Sequence, residues 1–388
     1  MVSGLERLWG LCVVAYGYLA YLIRIAPPNR PRYLQRLGEF GPDGLDLLLE
    51  VERELKDLGD TFYRNDGLAE GYRLKSFIRR GRSIHLKMRR GPVGNPGEML
   101  DVESLESVEA GTTKALLSEF RAAFYVPRDS YYGFMFVERI GGRHLKDLLY
   151  RLVARQISAR TFMGVRVEGF ALTDDWRAEL AGKQVMRVTE VLSPLDSAHD
   201  PSTVEDLTVR VSAEGAGLTA RDGDLKDRIF ELLERKQEEL RQLIKIAPLE
   251  ARRKVMGETH RRDGTVIREL KAAPRDAFTV ADEEEWRALV AEIDALRQGP
   301  SSAELEADLQ SVLPIDRAEY ESRRVEVSFG QDRPEKTFVV AGDRVPQLVY
   351  EFSDRLLDTP LRQAWDATSA QFLRGIGAAL PAQWPLEK

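Results

Sequence analysis

The stretch Tyr72 to Arg90, YRLKSFIRRGRSIHLKMRR, leaves this chain the fewest folding choices. Two alternating runs flank Arg80-Gly81-Arg82, and period-two alternation around a glycine turn specifies a β-hairpin. Tyr72, Leu74, Ile78, Ile84, Leu86 and Met88 would share one face and need a core beneath them. The opposite face and the turn would carry Arg73, Lys75, Arg79, Arg80, Arg82, Lys87, Arg89 and Arg90, with Phe77 and His85 among them. Such a ribbon can bind phosphates, because Lys and Arg displace condensed counterions and an aromatic ring can stack on an exposed base. The competing use is protective, since charges on exposed strands deter edge-to-edge aggregation. No Asp or Glu lies within the stretch, which favours nucleic-acid contact.

The rest of the composition limits how far that surface extends. A net charge of -6 over 388 residues excludes a histone-like protein coated in positive charge, so a nucleic-acid site has to be a local patch. Cys12 is the single cysteine, which excludes an intrachain disulfide framework and a cysteine-rich zinc site. A reducing cytoplasm is the expected compartment. His85, His144, His199 and His260 show none of the short spacings of helical metal motifs, and no metal or other cofactor is expected.

Leu8 to Ile23 is uncharged and mostly apolar. It is shorter than the ~20 residues needed to cross a bilayer, and it lacks the flanks of a secretory signal. The tyrosines and valines from Val13 to Ile25 read as a buried strand, with membrane association through 8–23 as the alternative.

Further along, apolar periodicity predicts helices at Gly44–Leu58, Thr112–Ala123, Arg143–Gln156, Asp174–Ala181, Leu225–Ile246, Asp282–Leu296, Ser302–Val312, Pro346–Leu357 and Leu361–Ile376. Strands are expected at Ala123–Val126, Tyr131–Ile140, Gly164–Leu172, Gln184–Leu192 and Leu207–Ala213. YYGFMFVERI is the most apolar strand and belongs in the middle of a sheet. A second basic hairpin spans 252–271 around an Asp-Gly turn and adds Arg261 and Arg262 to the candidate DNA-binding residues. A third spans 323–340. The loop from Ser193 to Thr203 divides the chain into candidate domains 1–195 and 204–388. The expected class is α/β (α+β), with mixed or mostly antiparallel sheets, packed helices and several hairpins.

Catalytic signatures are thin. No phosphate-loop or G-x-S-x-G pattern is present. Two places match an acid followed by acid-x-lysine, as in Mg²⁺-dependent nucleases: Asp43 with Glu54-Leu55-Lys56, and Asp263 with Glu269-Leu270-Lys271. The first lies in a helical pattern and the second begins in a turn, so both read as ordinary structural acids. A nuclease is therefore the alternative to a binding protein, and a protein-interaction subunit is the third reading.

The order of segments resembles the RexA-type phage-exclusion proteins. The resemblance is carried by the basic strand pair, by FMFVE (Phe134 to Glu138) leading into HLKDLLYRLV (His144 to Val153), by LTVRV (Leu207 to Val211) and by KVMGETHRRDGTVIRELK (Lys254 to Lys271). It implies a cytoplasmic homodimer that clamps double-stranded DNA without strong sequence preference, acting with a membrane-protein partner in abortive infection. No catalytic residue is implied. This chain is longer, with added material from Leu8 to Asp66 and acidic helices from Asp282.

Overall fold

The computed structural model describes residues 15–28, 33–65, 70–93, 97–100, 107–110, 115–181, 184–194, 209–214, 222–255, 258–260, 266–268, 280–298, 320–330, 336–342 and 348–386. The first half contains β1 (Tyr16–Ala26), α1 (Leu47–Leu58), β2 (Phe62–Asn65), β3 (Glu70–Arg80), β4 (Ser83–Pro92), β5 (Gly97–Leu100), β6 (Ser107–Ala110), β7 (Ser118–Tyr125) and β8 (Tyr132–Ile140). Next come α2 (Lys146–Leu149), a π turn at Tyr150–Ala154, α3 (Arg155–Thr161), β9 (Gly164–Gly169) and α4 (Thr173–Leu180). The second half contains β10 (Gln184–Pro194), β11 (Val209–Glu214), α5 (Asp222–Val255), β12 (Glu258–His260), β13 (Val266–Arg268) and α6 (Val280–Arg297). It closes with β14 (Tyr320–Gly330), β15 (Lys336–Gly342), β16 (Val349–Phe352) and α7 (Asp358–Gly375).

Eight strands form one antiparallel sheet in the order β16-β1-β8-β7-β4-β3-β2, with β9 also paired to β1. The expected α/β class with antiparallel sheets is what the chain adopts. β16 and β9 follow one another along the same edge of β1, at Tyr16–Leu19 and Tyr21–Ala26. The apolar run read as a buried strand is therefore β1, second from one end of the sheet beneath the short edge strands β16 and β9, and residues 8–14 lie outside the described residues. Among the described residues no helix is long and apolar enough to cross a membrane.

Helices cover both faces, which is why β1 and β8 are apolar on successive residues instead of alternating. On one face Leu74, Ile84, Leu86, Met88 and Phe124 pack against Leu48, Val51 and Leu55 of α1 and Leu148, Val153 and Ile157 of the α2–α3 segment. On the other, Tyr18, Tyr125, Phe134 and Phe136 pack against Leu361, Trp365, Phe372 and Leu373 of α7. Leu240, Leu243 and Ala247 of α5 join that second cluster. Each such side chain contributes roughly 1.5–3 kcal/mol by leaving water.

Several boundaries differ from those read in the sequence. The segment read as a helix at Thr112–Ala123 contains the start of β7, because pairing with β4 and β8 overrides the helical propensity of its alanines. The helix expected at Pro346–Leu357 is β16, drawn into extended form by the free edge of β1. The helix read as 225–246 runs from Asp222 to Val255, through Pro248, so the second hairpin shortens to β12 and β13. The loop at 193–203 falls between β10 and β11, which pair with each other, while β16 and α7 join the sheet of the first half. A separate four-stranded sheet has the order β11-β10-β14-β15.

Candidate ligand-binding face

The hairpin β3–β4 turns at Gly81, whose φ of 55° is a left-handed conformation that favours glycine. Its two faces differ from strict alternation because a β-bulge interrupts the register between Leu74 and Ser76. Past the bulge, Phe77 opposite Leu86 packs on the core beneath α1, and Ile78 opposite His85 turns outward and is 56% exposed. The face expected to hold Ile78 thus holds Phe77, and the ring considered for base stacking is partly buried against aliphatic side chains.

The acids missing from Tyr72–Arg90 arrive mainly from elsewhere in the chain. Arg73 bonds Asp60, Lys75 bonds Glu119, Arg79 bonds Glu52 of α1, and Lys87 bonds Asp358 of α7. Arg90 grips Glu70 through Nε and Nη2 and donates Nη1 to the His144 carbonyl at 2.9 Å. Arg89 stands 3.8 Å from Glu119. Arg82 is buried: its Nη1 and Nη2 reach Asp46 at 2.7 and 3.0 Å, and its Nε donates to the Val126 carbonyl at 2.8 Å. Asp46 also caps α1 by accepting from the Leu48 N–H. Arg82 therefore anchors the fold, and its depth removes it from any ligand-facing surface. Arg261 and Arg262 lie outside the described residues.

A charged row crosses the sheet beside these pairs. Lys87, Arg121 and Glu138 are consecutive neighbours on β4, β7 and β8. Glu138 accepts from the Arg121 backbone and guanidinium and from Arg355 Nε at 2.8 Å, while Arg121 Nη1 reaches Asp358 at 3.2 Å. Burial pushes the Glu138 carboxyl up, but the arginine hydrogen bonds outweigh it and hold the group below its ordinary value.

Two cations on the outward face, Arg80 and Arg362, act on the nearby Asp366 carboxylate by charge alone. Among the described residues, the Arg80 and Arg362 guanidiniums form no ion pair or hydrogen bond. Both lie near His85: burial first, then the Arg362 and Arg80 charges, bring its imidazole down to about 3, so it is neutral. His85 and Trp365 stack with centroids 6.2 Å apart and planes 17° apart. Next to them Tyr125 donates to Asp366 at 2.5 Å, and burial raises the Asp366 carboxyl above its ordinary value.

Between the hairpin and α7 lies a pocket of about 150 Å³, whose walls include Ile78, His85, Lys87, Arg362 and Trp365. The Trp365 indole Nε1–H is buried with no hydrogen-bond partner, and the residue is 2% exposed. The wider cleft of about 500 Å³ beside α4 and α5 is lined by cations already paired, as Arg177–Glu234 and Arg241–Glu238.

Of the acid-x-lysine pairs, Glu54 bonds Arg160 and Lys56 bonds Glu52, both as parts of α1, while residues 263 and 269–271 lie outside the described residues. Among the described residues no group of three or more His, Cys, Asp or Glu could hold a metal ion. Sequence reasoning missed Arg362 and Trp365, because the spacing of Leu361 and Trp365 in a helix reads as a core stripe. In comparisons with known proteins the chain matched no family model, no curated protein and no solved structure.

Proposed function

We propose that the protein binds DNA through the phosphate backbone, at the rim where the β3–β4 turn meets α7. The observation that carries this reading is the pair of guanidiniums, Arg80 and Arg362, that lie near Asp366 without forming an ion pair, while Lys75 and Lys87 of the hairpin are held in ion pairs. Unpaired arginines suit phosphate oxygens because the planar guanidinium presents a fork of donors that matches them. The contact is narrow. It suits a short run of phosphates better than a long clamp, and a homodimer would present the rim twice. From the resemblance of segment order to RexA-type proteins we read this activity as part of anti-phage defence, with a membrane-protein partner as the effector.

The test is mobility of a labelled duplex of about 30 base pairs across a salt series, with and without Mg²⁺. Salt-sensitive binding of intact DNA, lost in Arg80→Ala/Arg362→Ala and kept in Lys75→Ala, is the expected result. Unchanged binding in the folded double variant overturns the assignment. Mg²⁺-dependent cleavage would replace it with the nuclease reading.

A further inference from the structure

An acid sits between the two arginines. Arg362 and Asp366 are one turn apart on α7, and a spacing of four sets side chains on one face of a helix. On the sheet below, Arg80, Ser83 and Tyr125 are consecutive cross-strand neighbours on β3, β4 and β7, and residues directly opposite one another point to the same side. Tyr125 marks that side as the one facing α7, because its hydroxyl donates to Asp366 Oδ1 at 2.5 Å. His85 faces the same cluster from β4, stacked on Trp365 of α7, and its ring is neutral. Among the described residues the C-terminal segment adds no charge here: Trp384 packs on Tyr125 and donates its indole N–H to Ser369 at 2.9 Å. Two guanidiniums thus share the field of one half-buried carboxylate that neither of them holds in an ion pair.

We propose that Asp366 is an internal competitor for the anion at this rim: its carboxylate offsets the charge of Arg80 and Arg362, and neutralising it, by acid or by substitution, strengthens phosphate binding. The proposal rests on the phosphate-binding reading above and supplies its regulation. Protonation removes a negative charge from beside the two arginines, so anion affinity rises as pH falls. Burial favours the neutral acid and raises the Asp366 carboxyl above its ordinary value, against the Tyr125 hydrogen bond and the two arginine charges. The change of charge is thereby moved toward mildly acidic pH. Neither neighbour that can titrate changes charge in that window. Burial and the Asp366 charge hold the Tyr125 hydroxyl far above its ordinary value, and His85 titrates only at about 3.

The experiment measures anisotropy of the labelled duplex at fixed salt with the wild type and with Asp366→Asn, from about pH 7 down to about pH 5. Asparagine keeps an oxygen for the Tyr125 hydroxyl while removing the charge. At neutral pH the variant is expected to bind about fivefold tighter, the weight of one unit charge ~4 Å from another in water. The ratio of the two affinities should shrink toward one as pH falls, and taking the ratio cancels every group that titrates alike in both proteins. In the Arg80→Ala/Arg362→Ala background the substitution should not restore binding. Should Asp366→Asn fail to melt like the wild type, Asp366→Ser, which also leaves Tyr125 a polar partner, takes its place. Equal affinity of the wild type and the variant at neutral pH, or binding restored without the two arginines, overturns the proposal and leaves the phosphate reading standing. A gain that stays constant down to the lowest pH overturns the acid response. No binding by either protein at low salt removes the proposal and the phosphate reading together.

Discussion

Arg82 and Asp46 lie 36 residues apart in sequence and form a two-pronged ion pair at 2.7 and 3.0 Å, buried beneath the turn of the hairpin. The same carboxylate caps α1, and the Arg82 main chain bonds Pro385 and Val126, so one residue ties the turn, the end of β7, the first helix and the C-terminal segment together. Removing one partner of a buried pair strands the other in low dielectric. Arg82→Ala should therefore lower unfolding free energy by about 3 kcal/mol, read as a shift of the urea midpoint at constant slope. A loss below about 0.5 kcal/mol, the range of surface substitutions, would contradict the assignment of Arg82 as a structural anchor.

The neighbouring Lys75–Glu119 pair gives the contrast. Lys75 is well exposed, and exposed ion pairs contribute about 0–1 kcal/mol. Lys75→Ala should leave both stability and DNA affinity within measurement error. A clear fall in affinity would return the other hairpin cations to the binding surface.

Glu138 accepts from both Arg121 and Arg355 in the interior of the sheet. Glu138→Ala should cost about 3–5 kcal/mol, because the buried Arg121 guanidinium loses its buried counter-ion and keeps only the more exposed Asp358. Thermal unfolding reads this as a drop in Tm, and Arg355→Ala, at a more exposed position, should lower Tm less.

His85 sets an acid dependence of stability. Its folded value is about 3, against about 6.5 in an unfolded chain. Between those values the unfolded state binds one more proton, so stability rises with pH and is lost as pH falls. Glu138, Glu52 and Asp358, all held below their ordinary values, add to the loss only at lower pH, as it passes through the carboxylate range. From about pH 6.5 to 5 the slope belongs to His85 and to His144, whose imidazole burial also lowers, and His85→Phe should flatten it in part. An unchanged slope in that variant would mean that another group titrates there.

Local patterning made the hairpin, the central strand YYGFMFVERI and the buried run ending in β1 legible, because period and apolarity within about ten residues decide such elements. Edges were less legible. β16 has four residues and takes its conformation from pairing with β1, a partner more than 300 residues away in the chain. The bulge at Lys75, which exchanges the faces of Phe77 and Ile78, leaves no mark in an alternating pattern of this composition. Charge suffered most. Counting acids inside Tyr72–Arg90 made the ribbon look unopposed, yet Asp358 lies 271 residues from the lysine it neutralises. Arg80 and Arg362 were likewise split, the first in the visible ribbon and the second on a helix far along the chain.

The central claim concerns those two arginines, and the slope of log binding constant against log salt tests it most directly. On duplex DNA each neutralised phosphate contributes about -0.9, so two contacts predict a slope near -1.8 for one protomer, falling toward zero in Arg80→Ala/Arg362→Ala. A dimer engaging both rims would double it. A slope several times steeper that survives the double variant would contradict the account, because it would place the phosphate contacts on cations assigned here to ion pairs.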